Sequence, residues 1–183
     1  MEQDTGSSMN KTGIKNKLLS GHHAFIEYVV QLPDEDFLYN GNNKWSAGQQ
    51  LEHIYISVKT VRQALSIPKF VAKIIWGVSN RPGKNYEELV QKYLIKLENG
   101  GKSSSRFIPK QVGAPQKAAL KNALMKELNR LCSNVDNFSE VELDGYVLPH
   151  PLLGKLTNRE MLYFTIYHVE HHEALIRKNL LLT

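Results

Sequence analysis

Apolar residues along this chain recur every three or four positions rather than every second one, the spacing of helices that each bury one face. The first such stretch runs over Lys11–Gln31, with Leu18, Leu19, Phe25, Ile26, Val29 and Val30 in register. Pro33 and the acidic residues behind it end the pattern, and "NGNNK" (40–44) is a loop of turn formers. A second helix is predicted from Ser46, where Ser46 and Gln49 make an S-x-x-Q capping box and Leu51, Ile54, Val58, Val61 and Leu65 form the apolar stripe. Pro68 closes it. Residues 69–78 and 85–99 read as two lesser helices separated by "SNRPGK". "GGKSSSRFIPKQVGAP" (100–115) is the longest stretch without helical periodicity, either a plain connector or a lid over a site. Pro115 suits the first turn of a third long helix, whose buried face is expected from Ala119, Leu120, Leu124, Leu128 and Leu131. After an irregular, Pro- and Gly-marked stretch at 144–156, Thr157 and Glu160 form a T-x-x-E capping box that opens a last helix reaching about Asn179.

Strand signals are thin and no repeat is visible. The pattern therefore predicts an all-α protein, an antiparallel four-helix bundle with short extra helices between the second and third long ones. The 183 residues suit one domain over 10–183, preceded by a polar, disordered segment at 1–9.

Composition narrows the function classes. No apolar run approaches the roughly 20 residues that cross a bilayer, so no membrane partner is expected. The polar start has no apolar core of a secretory signal, and the single cysteine, Cys132, can form no internal disulfide. Both point to a cytoplasmic protein, with Cys132 as a small buried hydrophobe. A net charge of +5 invites a nucleic-acid reading, but the basic residues are scattered and lack interleaved aromatics for base stacking, so no nucleic-acid partner is expected.

The histidines carry the candidate chemistry. Three of the seven fall in "HVEHH", 168–172. On a helix, residues four apart share a face, which pairs His168 with His172 and leaves His171 on the flank; His168 with His171, three apart, is the other pairing. Met161, Phe164, Thr165, His168, His172, Leu175 and Ile176 fall on one stripe, so the pair is expected to face the interior. Buried imidazoles are costly without partners, and metal coordination removes that cost. A catalytic centre needs about three protein ligands and an open position. His53, in mid-helix beside Leu51 and Ile54, is the best third ligand. His22 and His23 are weaker, and His150, in the loop before Pro151, could close over the site. No HExxH, G-x-S-x-G, GxGxxG or P-loop signature is present.

"WSAGQQLEHI" and "YHVEHHEALI" together resemble the DinB/YfiT-like superfamily, in which a tryptophan precedes a capped helix bearing a histidine and a late helix carries H-x-x-H-H or H-x-x-x-H. "HPLLGKLTNRE" and the long third helix match its layout, and the resemblance covers about residues 11–180. It implies a four-helix bundle with a divalent metal, nickel or zinc first and manganese or iron next, held by His53, His168 and His172. Some relatives transfer a low-molecular-weight thiol to an electrophile; others are called metal-dependent hydrolases. A homodimer acting on a small-molecule substrate is implied by the same analogy. Where thiol-transferring relatives often have Trp-His-Gly, this chain has Tyr167, His168 and Val169.

In that setting His171 and Glu170 are candidate catalytic groups, with Glu52, Tyr167 and Tyr55 behind them. Lys102, Arg106 and Lys110 could attract the carboxylates of a thiol cosubstrate. The opposing reading is a non-catalytic helical binding or stress protein with structural histidines.

Overall fold

The computed structural model describes residues 8–41 and 44–181. Most of the expected disordered start, residues 1–7, lies outside them. Met9 is tied down: its N–H donates to the Tyr163 hydroxyl at 2.8 Å and its carbonyl accepts from Arg159.

Four long helices carry the fold: α1 (Lys11–Gln31), α3 (Ala47–Leu65), α6 (Lys117–Asp136) and α8 (Asn158–Leu180). Between them lie α2 (Asp34–Leu38), α4 (Lys69–Trp76), α5 (Tyr86–Glu98) and α7 (Glu140–Gly145). The long helices close a ring in which α1 packs on α8, α8 on α3, α3 on α6 and α6 on α1. This is the bundle that the periodicity predicts. No helix among the described residues is long and apolar enough to cross a membrane.

Helix starts follow the caps. Ser46 and Gln49 satisfy each other's backbone N–H groups reciprocally at the head of α3, as do Thr157 and Glu160 at the head of α8. Glu160 does more. Its fully buried carboxylate also accepts from the Lys84 N–H at 2.9 Å and from both terminal nitrogens of Arg81 at 2.7 Å. The loop before α5 is thereby fastened to the first turn of α8, and the charge-assisted fork offsets the cost of burying the carboxylate.

Burial follows the predicted stripes on α3, whose Leu51, Ile54, Val58, Val61 and Leu65 are all buried. On α6, Leu124, Leu128 and Leu131 are buried as expected and Leu120 packs against the core partly buried, but Ala119 is exposed. On α8 the buried surface exceeds one stripe: Leu162, Tyr163, Ile166 and Val169 are buried too, since α1, α3, α5, α7 and a hairpin all pack around this helix.

That hairpin corrects the irregular reading of 144–156. β1 (Val147–His150) pairs antiparallel with β2 (Gly154–Thr157), His150 opposite Gly154. Strands of four residues are too short to show alternation, and Pro149 argues against a strand except at an edge, which both strands of a two-stranded ribbon are. Gly154 takes the positive φ (77°) that closes a three-residue hairpin loop. The hairpin leads directly into Thr157, so it fixes the start of α8 and, through it, the position of the late histidines.

Candidate metal centre

His53 projects from α3, and His168 and His172 from successive turns of α8, a helix packed directly on α3. The packing brings the three rings together across 115 residues of sequence: His53 Nε2 lies 3.2 Å from His168 Nε2, and His172 Nε2 lies 3.0 Å from it. All three rings are buried, at 4 to 6% exposure. Among the described residues this is the one group of three whose ligand atoms all lie within 4.8 Å of one another.

The opposite ring nitrogens fix the tautomers of two rings. His53 Nδ1–H donates to the carbonyl oxygen of Phe107 at 2.7 Å. His172 Nδ1–H donates to Oε1 of Gln50, a buried side chain one turn before His53. A carbonyl oxygen can only accept, so in both neutral rings Nδ1 carries the proton and Nε2 presents its lone pair. Two lone pairs thus converge on His168 Nε2. Nitrogens about 2.0–2.1 Å from a common zinc-like ion, at angles between octahedral and tetrahedral, stand roughly 3 Å apart. The observed separations fit that requirement, and a cation would take up the lone pairs that His53 and His172 direct to this point. Carbonyl oxygens behind ligating imidazoles are the usual supporting partners of such sites.

Electrostatics keep the rings neutral, the form that binds metal. Burial is the first cause for all three, lowering His53 and pushing His168 and His172 well below the ordinary histidine value; the neighbouring imidazoles add to it. Aromatic rings surround the cluster. Phe164 stacks on His168 with centroids 4.6 Å apart, and Trp45 sits 5.0 Å from His53 and lies nearly parallel to His172.

A cavity of about 1240 Å³ opens over the three rings. Segment 102–108 supplies part of its wall, and the Phe107 carbonyl that holds His53 belongs to that same segment. Among the described residues four basic side chains line the cavity, Lys44, Lys102, Arg106 and Lys178, and no acidic one does. Lys110 stands outside it.

The remaining predicted residues separate clearly. His171 is half-buried on the flank of the cluster, its ring edge-on to His172 at 5.3 Å, and it lines the cavity. Glu170 does not. One position along the helix turns it by about 100°, and its carboxylate lies beside Tyr86 and Lys17 instead. Glu52, Tyr55 and Tyr167 also fall outside the cavity lining. His22 is fully buried in α1, apart from the cluster, and His23 is exposed. His150 reaches the cavity wall, but its Nδ1 accepts from the N–H groups of Leu152 and Leu153 at 3.1 and 3.0 Å, so that lone pair is committed to the hairpin turn. Cys132 is buried and its thiol is pushed up to about 11 by desolvation, which suits a core residue.

Three contributors escape a reading by residue type: Gln50, the Phe107 backbone and Tyr93. Tyr93 of α5 is buried edge-on to Phe164, His168 and His171 at 5.2 to 6.3 Å and lines the cavity. Burial pushes its phenol up to about 12, so it stands there as a neutral hydroxyl.

The sequence model of the DinB superfamily matches residues 18–176. No curated protein and no solved structure matches the chain.

Proposed function

The chain belongs to the DinB superfamily, and we propose that it is a divalent-metal-dependent enzyme that transfers a low-molecular-weight thiol to an electrophilic substrate. The observation that carries this reading is the convergence of His53, His168 and His172 through their Nε2 atoms. A divalent cation held by three neutral imidazoles keeps its charge and lowers the pKa of a thiol or water bound to it. Nickel and zinc suit an all-imidazole donor set. The protein's own groups do the rest. Gln50 and the Phe107 carbonyl hold two rings in the ligating tautomer. Trp45 and Phe164 shield the rings from bulk water. His171, lowered by burial and so neutral near pH 7, lines the cavity as the acceptor for the thiol proton at a ring nitrogen. The four basic side chains of the lining attract the anionic ends of a thiol cosubstrate.

Elemental analysis of protein purified without a histidine tag tests the metal. About one divalent ion per chain is expected, and no uptake of added Ni²⁺, Zn²⁺ or Mn²⁺ sinks the proposal. The metal-loaded protein is then given an electrophile with and without thiol. Thiol-dependent consumption supports transfer, whereas consumption that ignores thiol makes the protein a hydrolase.

A further inference from the structure

His150 is the one histidine on the cavity wall whose hydrogen bonds run opposite to those of His53 and His172. Its Nδ1 accepts from two successive backbone N–H groups, Leu152 at 3.1 Å and Leu153 at 3.0 Å. Both belong to the turn of the β1–β2 hairpin. A neutral imidazole that accepts at Nδ1 must carry its proton at Nε2. The turn is itself held: Lys92 of α5 donates to the Leu153 carbonyl at 2.8 Å, and Gly154 supplies the conformation that closes the loop. The ring packs edge-on against Phe164 with centroids 4.3 Å apart, and Phe164 in turn stacks on the His168 ring. One phenyl ring therefore separates His150 from the metal centre. Its Nε2–H makes no hydrogen bond among the described residues and is not sealed from solvent.

These contacts exclude His150 as a further metal ligand, since its only lone pair is already used. We propose that His150 is a ligand-binding residue: its Nε2–H donates to an oxygen of the bound small molecule, a carboxylate oxygen in preference to a neutral one. The preference follows from the charges around it, because among the described residues the cavity lining holds basic side chains and no acidic one, and the Lys92 ammonium lies beside the ring. A hydrogen bond to a charged acceptor is about twice as strong as one to a neutral acceptor. A donor held by a turn costs little further ordering when the ligand arrives. The mercapto group would reach the three-histidine centre while the carboxylate stops at His150. To that extent the inference rests on the function proposed above.

The test uses Zn²⁺-loaded protein and a series of mercaptoalkanoates, each compared with the mercaptoalcohol of equal length. Zinc uptake is measured first and separately, so a protein that takes up no metal counts against the function, not against His150. The expected result is one chain length at which the wild-type protein prefers the carboxylate by about tenfold, the size of one charge-assisted hydrogen bond. His150→Phe should lose that preference while keeping its zinc affinity. His150→Gln, which can accept from the turn and still offer an amide N–H, should recover part of it. Nitrogen NMR of the imidazoles supplies a readout that does not depend on the variants folding. His150 should show a bare Nδ1 and a protonated Nε2 with or without zinc, and the mercaptoalkanoate should shift Nε2–H alone. A protonated Nδ1, no preferred length, or a preference untouched in His150→Phe would each overturn the assignment.

Discussion

His22 and His168 invite comparison because local sequence treats them alike. Both sit in long helices, both occupy the apolar face, and both are buried. His22 is the more deeply buried, at 0% exposure against 6%. It donates from Nδ1 to the Leu18 carbonyl of its own helix at 2.8 Å, and its Nε2 has no partner among the described residues. His168 instead meets the Nε2 atoms of two other histidines. Burial on an apolar stripe thus does not make a ligand; convergence from a second helix does. The two sites also differ in what they cost the fold. An orphaned buried nitrogen is a plain penalty, whereas the lone pairs of His53 and His172 point to a place where a cation would be bound.

The largest contrast should appear in metal-linked stability. With zinc about 1,000-fold above its Kd, a protein that binds only when folded gains about 4 kcal/mol, which for a chain of this size is roughly 10 °C in Tm. His168→Ala should lose this gain in a thermal scan, and His22→Ala should keep it. His171→Ala should keep it as well; a loss there would move the pair to His168 and His171.

Acid should expose the other side of the comparison. Burial lowers His22 from 6.5 to about 4. Its folded value lies below its unfolded one, so between these values the unfolded chain binds the extra proton, and stability falls as pH drops. The contribution is fully present above about pH 6.5 and lost as pH falls through about 4. A shift of this size corresponds to on the order of 3 kcal/mol. Urea midpoints of metal-free protein at pH 7 and pH 4 should therefore move further for the wild-type chain than for His22→Leu. Equal movement would mean that His22 is not neutral in the fold.

These contrasts also show what was legible. The long helices, two of the capping boxes and the His168–His172 pairing follow from periodicity and spacing, because those signals are repeated along each helix; His53 stood as the best third ligand among several histidines, and the resemblance to the DinB/YfiT-like superfamily completed the set. The hairpin was not legible, since four-residue strands leave no period to read. Neither were Gln50 and Phe107. One acts through an amide on a mostly polar turn, and the other through a backbone carbonyl that carries no side-chain signature at all. Glu170 and His171 are adjacent in sequence, and the turn of the helix between them sends His171 to the cavity and Glu170 to Tyr86 and Lys17.

Gln50 gives a smaller but sharper test of convergence. Gln50→Leu removes the acceptor for His172 Nδ1–H and frees the ring to turn or to change tautomer. Loss of such a supporting partner typically lowers metal affinity 10- to 100-fold, and zinc titration of the folded variant should show a fall in that range. His22 has no equivalent partner to remove, so its helix offers no comparable step. An unchanged zinc affinity would mean that the ring is held by packing alone.

The smallest effect extends the same logic from histidines to cations. Lys102, Arg106 and Lys110 share one segment, and only the first two line the cavity. All three are exposed, so each charge acts through water and is screened over about 10 Å at 0.1 M salt. Exposed charge pairs are worth only about 0.2–1 kcal/mol. Replacing Lys102 or Arg106 by Ala should therefore weaken binding of a mercaptoalkanoate to the zinc-loaded protein by only about two- to fivefold, and less at high salt. Lys110→Ala should leave it unchanged. The decisive measurement is the affinity at low and high salt in all three variants. If Lys110 matters as much as Arg106, the attraction comes from the net charge of the chain, and position at the cavity rim adds nothing to it.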